Sequence, residues 1–318
     1  MRVVFAGTPA VSIPGLSALL GSSHKVVGVV TRAPARQGRS KQLIDSPVAA
    51  WAKEQKLDVL ETSTPGDAAA LEWLRARDAQ LGVIVAYGSI LKRPVLDIFS
   101  NGWINLHFSA LPKLRGAAPV QTAILEQHRN IGTTVFQLEE GMDTGPTLSI
   151  EDHYLDPQWT SGEALDHLAL ASSSQLVAAV DAIADGTARF TPQDTGLGDI
   201  NVTFAPKLGR QDGFIDFASE PNATAARSRA VTPSPGAWTS FAGQVMKLGP
   251  LTIPDAADIP DSLEPGQIYV EKSRVLVGCL SGVVQLGQVA PAGKSWMDAS
   301  AWARGARLTP GQQLGTSR

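Results

Sequence analysis

A strand and the turn that ends it are encoded together in the opening stretch Val3-Val4-Phe5-Ala6-Gly7-Thr8-Pro9. Its first four residues are apolar, as in a strand buried on both faces, and Gly7-Thr8-Pro9 is typical of a strand-to-helix turn. Leucines with helical spacing follow at positions 16, 19 and 20, before Gly21. This stretch therefore predicts the first strand–helix unit of an α/β domain.

The same alternation continues along the first half of the chain. Segments typical of helices lie at 48–56 and 68–77, and apolar segments typical of strands lie at 26–30, 57–60, 81–87 and 103–108. Strands that alternate with helices imply right-handed crossovers. The sequence therefore predicts a doubly wound, mostly parallel, Rossmann-like sheet.

The pattern changes after residue 132, and a second domain is predicted further along the chain. Strands are predicted at 133–138 and 147–153 and a helix at 161–184, which together complete a first domain of residues 1–188. Residues 189–208 are rich in Thr, Pro, Gly and Asp, as in a linker. Short alternating strands then predict a small, OB-like β-barrel over residues 209–318.

Composition excludes several classes of protein. The single cysteine, Cys279, lies in a strand-like segment and is expected to be a buried core residue, so no intrachain disulfide can form. The short apolar start and the absence of any long apolar run predict a cytoplasmic protein with no membrane partner. The other histidines have no ligand spacing, so no metal site is predicted. The net charge of −3 leaves RNA binding open, because a local basic surface is sufficient.

The residues with the clearest chemical pattern are Asn105 and His107, at the end of a predicted strand. Their spacing of two places both side chains on one face of that strand. Ligands bind beyond the carboxyl ends of the strands in such a sheet. An amide and an imidazole can both donate to an oxyanion that develops there. A strand-end pair that only hydrogen-bonds a loop is the alternative.

A carboxylate that could orient the histidine is Asp143, in the turn Gly141-Met142-Asp143-Thr144-Gly145-Pro146. The flanking glycines allow a sharp turn and a close approach of the backbone to a ligand. Without further information, Asp143 is equally consistent with a turn residue that has no chemical role.

Three segments together resemble the folate-dependent formyltransferase superfamily: Asn105-Leu106-His107, residues 109–116 and Met142-Asp143-Thr144-Gly145. The resemblance implies that Asn105, His107 and Asp143 are catalytic and that 10-formyltetrahydrofolate is the cosubstrate. Asn105 and a protonated His107 would stabilise an oxyanion, with Asp143 holding the imidazole charged. The backbone of Ser109, Ala110, Leu111 and Pro112 would line the folate site. Phe108 stands where the superfamily usually has glycine, which predicts extra bulk beside that site.

The chain is similar to the branch of the superfamily that formylates initiator methionyl-tRNA. The similarity extends over Phe5–Pro9, residues 212–217 and 289–297, so it covers nearly the whole chain. It implies a tRNA-recognition loop at residues 31–41, where four cations occur without an acid. The predicted tRNA contacts are Arg32, Arg36, Arg39, Lys41 and Lys207, and the expected state is a monomer.

Two other functions remain as alternatives. The first is a formyltransferase that acts on the amine of a nucleotide sugar, against which the basic loop and residues 291–297 argue. The second is an RNA-binding relative that has lost catalysis, against which the intact Asn105, His107 and Asp143 argue.

Overall fold

The computed structural model of the chain describes residues 1–37, 42–193, 202–255, 263–309 and 311–315. It contains two compact units. The first unit comprises Met1–Pro119, Asn130–Tyr154 and Leu165–Ala205. The second comprises Val120–Arg129, Leu155–Ala164 and Pro206–Arg318. The division at 188 and 208 that the composition suggests stays a prediction.

The first unit is built on a sheet of seven strands, in the order β5-β2-β1-β6-β7-β8-β9. The strands of this unit, in chain order, are β1 (Arg2–Gly7), β2 (Lys25–Thr31), β3 (Ala35–Gln37), β4 (Gln42–Ile44), β5 (Val59–Glu61), β6 (Leu81–Val85), β7 (Trp103–His107), β8 (Asn130–Gln137) and β9 (Thr147–Tyr154). β5, β2, β1, β6 and β7 are parallel, whereas β8 and β9 are each antiparallel to the preceding strand of the sheet. The predicted mostly parallel, Rossmann-like sheet is confirmed.

Helices connect these strands or follow the last of them. In chain order these helices are α1 (Ile13–Leu20), α2 (Pro47–Glu54), α3 (Ala68–Ala76), α4 (Arg93–Leu96), α5 (Pro119–Leu125), α6 (Ser161–Ala171) and α7 (Ser173–Ala184). Ser46 and Asp67 cap α2 and α3, since each side chain accepts a hydrogen bond from the backbone N–H three residues on. The local sequence thus sets where these helices begin.

The strand order reverses between β1 and β6, and the carboxyl ends of these strands meet at the reversal. Thr8 follows β1 directly, and its hydroxyl donates to the Tyr87 carbonyl, just after β6, at 2.7 Å. In open α/β sheets this switch point is where ligands bind. β7 lies next to β6, so its last residue, His107, reaches the same edge.

The helix predicted at 161–184 is divided into α6 and α7. The Ser172 hydroxyl donates back to the Leu168 carbonyl at 2.6 Å, a bond of the kind that bends helices. The whole segment is long and apolar enough to cross a membrane by composition alone. However, Leu168, Leu176 and Val180 are fully buried within the protein. α6 and α7 are therefore read as core helices.

The second unit contains two antiparallel sheets, β10-β11-β15-β16 and β12-β13-β14. Their strands are β10 (Trp238–Phe241), β11 (Gln244–Leu248), β12 (Ile268–Val270), β13 (Val275–Cys279), β14 (Gly282–Leu286), β15 (Gln288–Pro291) and β16 (Met297–Asp298), and the helices are α8 (Pro221–Ala230) and α9 (Ala299–Ala306). Their core includes Phe217, Trp302 and Cys279. Burial raises the pKa of the Cys279 thiol to about 11, as expected for a core residue. Closure into an OB-like barrel stays a prediction.

Candidate active site

His107 lies at the carboxyl end of β7, where its backbone pairs with Thr134 of β8. Only 6% of the residue is exposed. The imidazole packs edge-on against the Phe136 ring, with ring centroids 6.4 Å apart. The side chain is therefore held in a largely dry environment.

The two ring nitrogens of His107 have different partners. Nε2 lies 3.1 Å from the carbonyl oxygen of Leu114. Because a carbonyl can only accept, Nε2 carries a proton in this arrangement. Nδ1 lies 4.0 Å from Oδ2 of Asp143. In the neutral imidazole, the lone pair is therefore on Nδ1, on the side of the carboxylate.

Burial lowers the pKa of His107 below its usual 6.5, and this effect outweighs the opposing influences of Asp143 and the Leu114 carbonyl. Burial therefore opposes the expected influence of Asp143, and the role of Asp143 in holding this histidine protonated stays a prediction. The physical reason is that a separation of 4.0 Å is too long for a direct hydrogen bond, whereas desolvation acts on the whole ring. Burial of the ring thus favours the neutral imidazole.

Asp143 lies in the turn between β8 and β9 with a φ of +52°, in the left-handed region. Short polar residues tolerate this conformation better than most others. Its Oδ2 accepts a hydrogen bond from the Gly116 N–H at 2.8 Å, and its side chain is 15% exposed. The structure therefore brings together the predicted histidine and carboxylate.

Asn105 lies two residues before His107 on β7, between Ile84 of β6 and Phe136 of β8. Within the described residues, its buried Oδ1 has no hydrogen-bond partner. An unpaired buried acceptor costs about 1–3 kcal/mol, so it marks a position where a ligand group would be favourable.

The segment after β7 forms a compact turn fastened by Thr134. The Thr134 hydroxyl donates to the Ser109 carbonyl at 2.6 Å and accepts from the Leu111 N–H at 3.1 Å. Ala110 and Pro112 are half-buried, and Phe108 is buried. The backbone of the predicted folate segment is thus placed beside His107 by the neighbouring strand.

The basic segment is partly described. Its arms, β3 and β4, pair as an antiparallel hairpin, and Arg36 is exposed on β3. Arg32 donates from Nη1 to the Gly88 carbonyl at 2.8 Å, at the end of β6. Arg39 and Lys41 lie outside the described residues. Lys207 is exposed and belongs to the second unit.

Two residues at this edge were missed by sequence reasoning. Tyr87 follows β6 with only 2% exposure, and its buried hydroxyl has no partner among the described residues. Burial raises its pKa to about 12. Its position just past an apolar strand could have indicated that Tyr87 lies at the ligand-binding edge of the sheet. Gln193, which hydrogen-bonds the backbone of Asp143, lies in the predicted linker, where no sequence signal distinguished it.

In the part of the chain that the structure describes, no group of three His, Cys, Asp or Glu side chains is arranged to hold a metal ion. The side chains that the structure places at the carboxyl end of β7 and beside it are an amide, an imidazole and a carboxylate.

Comparison with known families defines the class of protein. Residues 1–180 match the family model described as formyl transferase. Residues 207–307 match the model of the formyl transferase C-terminal domain. The fold is also similar to that of a variant of HypX from Aquifex aeolicus, with a TM-score of 0.68 and 14% identity. That match covers 95% of this chain and 48% of HypX.

Curated relatives make the assignment more specific. A methionyl-tRNA formyltransferase from Salinispora arenicola (strain CNS-205) is 47% identical over 314 residues, 99% of this chain and 100% of the relative. One from Thermobifida fusca (strain YX) is 45% identical over 316 residues, 99% of each chain. The chain therefore belongs to the methionyl-tRNA formyltransferase family, which confirms the resemblance seen in the sequence.

Proposed function

We propose that the chain transfers the formyl group of 10-formyltetrahydrofolate to the α-amino group of initiator methionyl-tRNA. The observation that carries this proposal is the unpaired Oδ1 of Asn105 on the same strand as His107, which lies beside Asp143. The chain also matches relatives named methionyl-tRNA formyltransferase over nearly its full length. The product would be formylmethionyl-tRNA for translation initiation.

Asn105 suits both partners of this reaction. Its Nδ2 can donate to the formyl oxygen as negative charge develops there, and its Oδ1 can accept from the attacking amine. An amine beside Asn105 would therefore supply the missing donor for the buried Oδ1. Nδ2 of the same amide is then available to donate to the formyl oxygen of the folate cosubstrate.

His107 is assigned the proton transfer. As the amine nitrogen bonds to the formyl carbon, neutral Nδ1 accepts a proton from it, and Asp143 stabilises the resulting imidazolium. The bond from the formyl carbon to N10 of the folate then breaks, and the same proton passes to N10. Once Nδ1 carries this proton it can donate to the carboxylate, so the separation of 4.0 Å between Nδ1 and Oδ2 is expected to shorten at that point of the reaction.

Each substrate is assigned its own set of residues. Ser109, Ala110, Leu111 and Pro112 are proposed to line the folate site. Arg32, Arg36, Arg39, Lys41 and Lys207 are proposed to contact tRNA phosphates. We further propose a soluble, cytoplasmic monomer that needs no metal and no membrane.

The deciding experiment is a formyl-transfer assay with 10-formyltetrahydrofolate and charged initiator methionyl-tRNA. Charged elongator methionyl-tRNA and an amino-sugar nucleotide are the parallel acceptors. Transfer confined to the initiator supports the proposal, whereas turnover of the sugar with no turnover of either tRNA would refute it.

The loop assignment has its own test. Arg36→Ala and Arg39→Ala should raise KM for the tRNA and reduce its dependence on salt, because each removes a phosphate contact. A KM equal to that of the wild type for both variants would exclude the loop from tRNA binding.

A further inference from the structure

The segment that follows α7 has a composition typical of a linker, yet it is part of the first unit. The backbones of Thr191 and Thr147 exchange two hydrogen bonds of 2.8 Å. Two residues beyond Thr191, the side chain of Gln193 turns inward, and the residue is only 6% exposed. A buried amide in such a segment needs specific partners to offset its desolvation.

Gln193 makes four hydrogen bonds to three residues at the candidate active site. Its Nε2 donates to the carbonyls of Asp143 at 2.8 Å and Gly145 at 2.7 Å. Its Oε1 accepts from the Arg115 guanidinium, from Nε at 3.1 Å and from Nη2 at 2.8 Å. A flipped amide would lose all four bonds, so the orientation is unambiguous.

These bonds close a ring around the Asp143 turn. Arg115 directly precedes Gly116, whose N–H donates to the Asp143 carboxylate. The Asp143 carboxylate is thus held by the backbone of residues 115–116, and the backbone carbonyl of Asp143 is held by Gln193. Arg115 itself is fixed by backbone bonds to Thr203 and Ala205, of 2.9 and 2.8 Å.

The amide also separates two opposite charges. The Arg115 guanidinium reaches the Asp143 turn through neutral Gln193. Within the described residues, the side chain within 4.0 Å of the Asp143 carboxylate that can take up a positive charge is His107. A direct arginine pair would compete with the histidine for that charge, whereas an amide bridge leaves it available.

We infer that Gln193 is a positioning residue that fixes the Asp143 carboxylate relative to Nδ1 of His107. Its kinetic consequence rests on the proposed formyl transfer, but its effect on His107 does not. Gln193 acts through the backbone of Asp143 and needs no contact with either substrate.

The test compares Gln193→Ala with the matched variant Gln175→Ala. Gln175 is also a buried amide of the first unit, 3% exposed, but it bonds Thr133 and Ser149 and not the Asp143 turn. Both variants remove a satisfied buried amide, so both should lose thermal stability. Only Gln193→Ala should act on the histidine.

The first measurement is the pKa of the His107 ring by NMR titration, with the signal assigned from its loss in His107→Asn. Loosening Asp143 removes the influence that opposes desolvation, so the pKa should fall further in Gln193→Ala and stay unchanged in Gln175→Ala. An unchanged pKa in Gln193→Ala would overturn the inference. This readout is independent of turnover, so it holds even if the proposed reaction is wrong.

The second measurement is the split between kcat and KM in formyl transfer. A displaced carboxylate should lower kcat about 10- to 100-fold with little change in KM for either substrate. Gln193→Glu keeps the volume but turns an oxygen toward two carbonyls, so it should not restore kcat. Equal kcat values for Gln193→Ala and Gln175→Ala would show a purely structural role and refute the inference. If Gln193→Ala does not fold, Arg115→Lys, which loses the two-pronged contact with Oε1, is measured in its place with the same expected direction.

Discussion

The two edges of the seven-stranded sheet differ in how they treat polar groups. At the amino edge, charged residues such as Arg2, Lys25 and Asp58 lie around an open cavity of about 410 Å³, and a second cavity of about 330 Å³ lies before β7. Their charges are largely solvated, as in the pair of Arg2 with Asp78, whose side chain is 92% exposed. At the carboxyl edge, polar groups are buried instead.

The buried groups of the carboxyl edge are incompletely satisfied. Asn105 and Tyr87 each have a buried oxygen without a partner among the described residues. Buried polar atoms without a partner in the protein mark places where a ligand can supply one. The two cavities near the amino ends of the strands do not include Asn105, His107 or Asp143, whereas unsatisfied burial leads to the predicted catalytic residues.

The largest expected effect is at His107. His107→Ala should lower kcat/KM for formyl transfer by about 10²- to 10⁴-fold, since it removes the group assigned to proton transfer. The matched control is His128→Ala, whose side chain is 43% exposed and pairs with Glu126. Activity within a few-fold of the wild type in His107→Ala would contradict the mechanism.

A smaller effect, with a distinct pH dependence, is expected for Asp143→Asn. The amide can still accept from the Gly116 N–H, but the charge that raises the pKa of His107 is lost. In the wild type, kcat/KM should fall as pH drops through a pKa below 6.5, because the neutral imidazole is the active form. In Asp143→Asn this fall in the pH profile of kcat/KM should occur at still lower pH, and kcat should be reduced about 10- to 100-fold. If kcat/KM falls at the same pH in Asp143→Asn as in the wild type, titration of His107 is not the cause of that fall.

Tyr87→Phe tests the unsatisfied hydroxyl directly. Removing a buried group without a partner should increase the free energy of unfolding by about 1 kcal/mol, measured by denaturant titration. Tyr154→Phe, at a residue that is 59% exposed, is the neutral control. A clear loss of stability in Tyr87→Phe would mean that the hydroxyl has a partner.

The smallest effect is expected at the amino edge. Asp58→Ala breaks an ion pair with Arg77, but the Asp58 side chain is 69% exposed. Such pairs contribute about 0–1 kcal/mol, so the melting temperature should change little, and formyl transfer should be unaffected. A large drop in kcat/KM for this variant would show that the amino edge also contributes to function.

The fold and part of the site could be predicted because they rest on local patterns. Apolar runs alternating with helical spacing specify the parallel sheet, and a spacing of two places Asn105 and His107 on one strand face. The charge state of His107 could not be predicted, because it depends on how deeply Phe136 and Leu114 bury the ring. Gln193 was missed because its partners lie 50 and 78 residues away in the sequence.

The bonds from Thr203 and Ala205 to Arg115 bear on where the chain can be divided. A fragment ending at residue 188, as the composition suggests, would keep every side chain assigned to catalysis. It would nevertheless lack Gln193 and the strand-like segment that fastens Arg115. Exchange of C-terminal halves between relatives should therefore be made after Ala205, so that the inherited catalytic half carries its own support for Asp143.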